Sequence, residues 1–173
     1  MPLVPPLHAS PAAVREALAP LRNDFSVALA APGNTFAVGA VIRVAHSFLA
    51  REVFVVGGGD WYRKAAMGMH KYETVVRVGD AEQLRKATAG RPVWAVEKDL
   101  ARRSICAVEG FPEGIVFLFG SERFGIPPEL LALAQDVVGI PMYGVNHSFP
   151  VAVAAGIAMH EWARRKYRSG VVV

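Results

Sequence analysis

Short runs of Val- and Ile-rich residues alternate along this chain with longer stretches in which apolar positions recur every three or four residues. The first pattern predicts strands buried on both faces, and the second predicts amphipathic helices. Phe25–Ala31, Val53–Val56, Thr74–Val78, Val93–Val96, Ile115–Phe119 and Val137–Ile140 read as strands. Between them, Thr35–Leu49, Trp61–Met69, Ala81–Ala89 and Pro127–Ala134 read as helices. Ser10–Leu21 precedes the first strand as a helix, with Ser10 as its cap and Pro11 in its first turn. A last helix runs over Pro150–Tyr167. The alternation predicts an α/β fold, a mainly parallel sheet flanked by helices. No linker, low-complexity segment or repeat interrupts it, so residues 1–173 read as a single domain with an N-terminal extension and helix over 1–24.

Composition narrows the class. With 53% hydrophobic and 20% charged residues, the chain is globular rather than disordered. Its apolar runs are too short to span a membrane, and the proline-rich start does not read as a signal peptide. One cysteine, Cys106, excludes an internal disulfide and a cysteine metal cluster, and it reads as a small core residue. These features point to the cytoplasm. A formal net charge of +4 is compatible with a polyanionic partner.

Ligands of parallel sheets bind beyond the carboxyl ends of the strands. The loops in question are Pro32–Asn34, Gly57–Asp60, Glu97–Asp99, Gly120–Gly125 and Pro141–Ser148. Gly120-Ser121-Glu122-Arg123-Phe124-Gly125-Ile126 follows a buried strand and lacks the Gly-Lys-Ser/Thr ending of a phosphate-cradling loop. It reads either as a tight turn with a solvated ion pair or as a ligand rim. Ser148 either caps the last helix or contacts a ligand at a helix N-terminus. Arg43 sits within an apolar helix, where it either snorkels to water or faces a site.

Taken together, three segments resemble the ordered motifs of the SpoU (TrmH-type) RNA 2′-O-ribose methyltransferases, within the SPOUT superfamily. Asn34-x-x-x-x-Gly39-x-x-x-Arg43-x-Ala45 is similar to the first, and Phe119-Gly120-Ser121-Glu122-x-x-Gly125-Ile126 to the second. Ile140-Pro141-Met142, then Ser148 and the small residues Val151–Ala155, resemble the third. The resemblance implies a parallel sheet whose C-terminal part forms a deep trefoil knot, a topology otherwise nearly absent from proteins. It implies S-adenosyl-L-methionine bound mainly through backbone groups of Val96, Glu97, Gly120, Ile140, Met142, Ser148 and Phe149. It also implies a homodimer with a shared active site, and methyl transfer to a ribose hydroxyl of RNA.

In the roles so implied, Arg43 anchors a phosphate and stabilises the developing alkoxide, because a guanidinium does not deprotonate. Glu122 orients Arg43 or helps to accept the proton, Ser148 places the ribose or the cofactor, and Asn34 fixes the loop before the Arg43 helix. One departure stands out. The family's Ser-Leu-Asn-Val-Ser is here Ser148-Phe149-Pro150-Val151-Ala152, so a side-chain amide and a hydroxyl are missing. Asn146 is a candidate replacement for the amide, and a catalytically impaired RNA-binding protein is the alternative function. The short segment before the first strand leaves no room for a separate RNA-binding domain, which favours tRNA over rRNA. Arg164, Arg165, Lys166 and Arg168 read as phosphate contacts or as a solvated helix end. Trp61-Tyr62-Arg63-Lys64 reads as a stacking cluster or, for Trp61, as core.

Overall fold

A computed structural model describes residues 9–30 and 34–166. Within them, α1 (Pro11–Leu18) is capped by the Ser10 hydroxyl, which accepts from Ala13 N–H at 3.2 Å. The core elements follow as β1 (Ser26–Ala30), α2 (Thr35–Ser47), β2 (Val53–Val56), β3 (Val75–Val78), α3 (Ala81–Thr88) and β4 (Val93–Val96). Then come β5 (Arg103–Ser104), β6 (Val116–Phe119), α4 (Pro128–Leu131), β7 (Asp136–Gly139) and α5 (Val151–Lys166).

Among the described residues all pairings between strands are parallel, in the order β3-β2-β1-β6-β4-β7-β5. Strand residues point alternately to the two faces. Val27, Leu29, Val53, Val55, Phe117, Phe119, Trp94 and Val138 face α2 and α5. Ala28, Ala30, Phe54, Val56, Val116, Leu118, Ala95 and Val137 face α3 and α4. Helices cover both sides, which is why the central strands carry no polar alternation. At one end of the sheet the buried Glu73 carboxylate binds Arg22 (2.5 Å) and His46 (2.6 Å), joining the chain before β1 to α2.

Four local expectations change. Trp61–Met69 is not a helix: two 3-10 turns, Arg63–Ala66 and Met69–Lys71, are separated by Met67 and Gly68 at φ +48° and +84°. Left-handed residues stop helix propagation. α4 is one turn rather than two, and β5 is too short for any periodicity to reveal. Cys106 is exposed in a 3-10 turn rather than in the core. Ala31, Pro32, Gly33, Tyr167 and Arg168 lie outside the described residues. No helix among the described residues is long and apolar enough to cross a membrane.

Candidate functional site

β6, β4 and β7 are neighbours in the sheet, and the loops leaving their carboxyl ends meet around one cavity of about 450 Å³. It is lined by residues 96–100, 119–126, 140, 142 and 147–149, with Val151 and Ala154 of α5 forming its floor.

Glycine makes the β6 loop possible. Ser121 and Gly125 exchange backbone hydrogen bonds of 3.0 and 2.9 Å, and the Ser121 hydroxyl accepts from Phe124 N–H at 3.0 Å. A Cβ on Gly120 would overlap the backbone of Gly125 and Ile126, and Gly125 itself has φ +64°. Only glycine closes a turn this tight. The turn carries Glu122 to the start of α5, where its Oε1 accepts from Val151 N–H at 3.1 Å. A carboxylate there satisfies an orphan donor and meets the positive end of the helix dipole. On the β7 side, Gly139 lets Ala101 approach, since a Cβ would lie 2.8 Å from that of Ala101. The Glu97 N–H is already used by Val138 O at 3.0 Å, so Glu97 offers the cavity only its carbonyl and carboxylate.

The structure thus gathers Val96, Glu97, Gly120, Ile140, Met142, Ser148 and Phe149 on one wall system, together with Glu122. Asn34 and Arg43 are elsewhere. Asn34 caps α2, its side chain accepting from Ala37 N–H at 3.2 Å. Arg43 is exposed on α2, and its guanidinium has no hydrogen-bond or ion-pair partner among the described residues. Two local expectations are corrected. Ser148 does not cap α5, which begins three residues later with Glu122 as acceptor. Glu122 does not hold Arg43 within one protomer: its hydrogen bond goes to Val151, and Arg43 lies outside the cavity that Glu122 lines. Asn146 turns its amide back onto Ser148 O at 3.3 Å and does not line the cavity.

Sequence reasoning placed Arg123 and Phe124 in the candidate loop after β6 and His147 in the loop before α5 but gave none of them a role of its own; all three line the cavity. Their adjacency to Glu122, Gly125 and Ser148 was the available signal. Among the basic C-terminal residues, Arg165 is structural. Arg165 donates to Val108 O (2.7 Å), Ile105 O (3.1 Å) and Glu161, pinning α5 to the turn after β5. Hydrogen bonds, first from Arg164 and then from Arg165, hold the Glu161 carboxyl below its usual range. Trp61 is partly buried against the core and lies edge-on to His70 at 5.6 Å, whereas Tyr62 is exposed. Burial, then the nearby Arg63 and Lys71 charges, pushes the His70 imidazole below its ordinary value.

Such a parallel sheet, with one cavity at the carboxyl ends of three adjacent strands, defines a ligand-binding α/β domain. The SpoU rRNA Methylase family matches residues 24–160, and the chain belongs to that family. A tRNA (guanosine(18)-2′-O)-methyltransferase of Thermus thermophilus is 26% identical over 163 residues, 91% of this chain and 84% of that protein. The enzyme of the same name from Aquifex aeolicus is 30% identical over 105 residues, 60% of this chain. The chain spans about half the length of that Aquifex relative. Among solved structures, an AdoMet-bound rRNA methyltransferase from Sinorhizobium meliloti superimposes with a TM-score of 0.74 at 26% identity, over 90% of this chain and 61% of that one.

Proposed function

We propose that the chain is an RNA 2′-O-ribose methyltransferase that uses S-adenosyl-L-methionine and acts on tRNA in the cytoplasm as a homodimer. The observation that carries this reading is the cavity, in a chain of the SpoU family, bounded by all seven residues expected to hold the cofactor. Its volume suits a nucleoside-sized ligand. The crowded Gly120 backbone supports recognition through main-chain groups rather than side-chain charge. tRNA is favoured by the names of the Thermus and Aquifex relatives. The knot belongs to the same proposal: the segment after β7 returns to the β6 loop, and α5 then packs on α2 and β6.

When bound, S-adenosylmethionine supplies an electrophilic methyl group on a sulfonium. The residues present then have two tasks, to hold the ribose oxygen in line and to manage its proton. Ser148 at the mouth positions the ribose. Arg43 stabilises the alkoxide that develops as the hydroxyl proton leaves. The second carboxylate oxygen of Glu122, not used on Val151, is the proton acceptor within the cavity. Arg43 does not line the cavity of its own protomer, which supports a shared site: it reaches the cavity of a second copy. The open α2 and α5 surface, with Val153 46% exposed beside Gly156 and Ile157, supports such a dimer.

Transfer of radiolabelled methyl groups to total tRNA tests the proposal. Arg43→Ala should abolish incorporation while calorimetry shows nearly unchanged cofactor affinity. Full turnover in that variant overturns the assignment of Arg43. A second reading, an RNA-binding protein without catalysis, is favoured by Pro150 and Ala152 standing where the family carries polar groups. Cofactor binding with no incorporation into tRNA or rRNA would support it.

A further inference from the structure

β2 ends at the same edge of the sheet as the cavity, but on the far side of β1, and leads into Gly57 and Gly58 at φ +68° and +76°. The chain then settles on the first turns of α2. Tyr62 N–H donates to Thr35 O at 3.1 Å, and the missing side chain of Gly39 admits Tyr62 O, Ala65 and Ala66. This seat lays the Tyr62 ring over Phe36, with centroids 6.2 Å apart and planes at 21°. Neither ring is covered, with Tyr62 48% and Phe36 58% exposed. Arg63 and Lys64 follow directly, both exposed and without a carboxylate partner among the described residues. The nearest acidic residue in sequence, Asp60, is occupied by Arg77 at 3.1 Å.

We propose that the Phe36–Tyr62 ring pair, with Arg63 and Lys64 beside it, binds a single-stranded segment of the substrate RNA. The proposal rests on the RNA methyltransferase reading above. Exposed aromatic faces accept stacked bases whatever their identity, and unpaired cations alongside accept phosphates. A protein partner would not require the two free charges, whereas a polyanion does. Phe36, Ala40 and Arg43 lie at i, i+4 and i+7 on α2, so they share one face. The ring pair therefore stands about 10 Å along the helix from Arg43. A strand stacked there is led toward the residue expected at the reacting ribose.

The test uses the full chain and a short fluorescein-labelled single-stranded oligoribonucleotide, read by anisotropy, with total tRNA as competitor. Phe36→Ala with Tyr62→Ala should weaken binding about 5- to 150-fold, while Tyr62→Phe stays near wild type. Arg63→Gln with Lys64→Gln should flatten the dependence of log affinity on log salt by about 1.4. Cofactor affinity by calorimetry and oligomeric state by light scattering should not change. Wild-type RNA affinity in both double variants overturns the proposal. A changed oligomeric state also overturns it, assigning the rings to a subunit interface. A wild-type chain that binds S-adenosylmethionine but no RNA instead overturns the RNA reading itself.

Discussion

Glu122 shows how much one side chain can carry. Pro150 has replaced the residue that would ordinarily offer a polar side chain just before α5, and Pro150 has no N–H of its own. The first donor of the helix, Val151 N–H, is instead satisfied from another loop by Glu122. Glu122→Ala should therefore destabilise the fold by about 0.5–2 kcal/mol, the range for losing a helix cap. Glu122→Gln, which keeps the acceptor but loses the charge, should lie between Glu122→Ala and the native protein. Thermal or urea unfolding measures this, and equal stability of all three proteins would show that the Val151 contact contributes nothing. The proposed proton acceptor and the α5 cap are thus the same carboxylate, so activity and stability data on this residue must be taken together.

At the scale of elements, α2 is held by what it lacks. Helix propensity predicts that Gly39→Ala would stabilise α2 by about 1 kcal/mol. The packing decides otherwise. The new Cβ would stand 2.8 Å from both Ala65 Cβ and Tyr62 O, and 3.0 Å from Ala66 N. Two of these three are backbone atoms, which cannot rotate away. Overpacking of this kind costs about 1–3 kcal/mol. Gly39→Ala should therefore be net destabilising, by up to about 2 kcal/mol, measured by chemical denaturation, and should loosen the Tyr62 turn. A more stable Gly39→Ala protein would show that the turn moves freely on α2. α5 is tied down differently, through the Arg165 fan to the carbonyls of Ile105 and Val108.

For the whole molecule, the cavity is assembled by loops from β4, β6 and β7, which are separated in sequence but adjacent in the sheet. A ligand bound across them stabilises only the folded chain. S-adenosylmethionine at about one hundred times its dissociation constant should add about 2.7 kcal/mol. For a domain of this size that raises the thermal midpoint by about 5–10 °C. Differential scanning calorimetry with and without the cofactor checks this, and an unmoved midpoint would sink the assignment of the cavity.

By itself, the sequence determined the α/β class, six of the seven strands, the helices α1, α2, α3 and α5 and the loops that carry the cavity. Hydrophobic periodicity encodes those directly, since burial on one or both faces leaves its period in the chain. The ordered glycine, serine and arginine motifs also determined the family. Strand order, the seat of Gly39, the Glu122 bond to Val151 and the outward turn of Tyr62 against the inward turn of Trp61 were decided only by the tertiary structure. Each depends on contacts between residues distant in sequence, and no local period records them. The separation of Arg43 from the cavity belongs to the same set: its motif position suggested the role proposed for it, but only the packed helix showed that one protomer leaves it facing out.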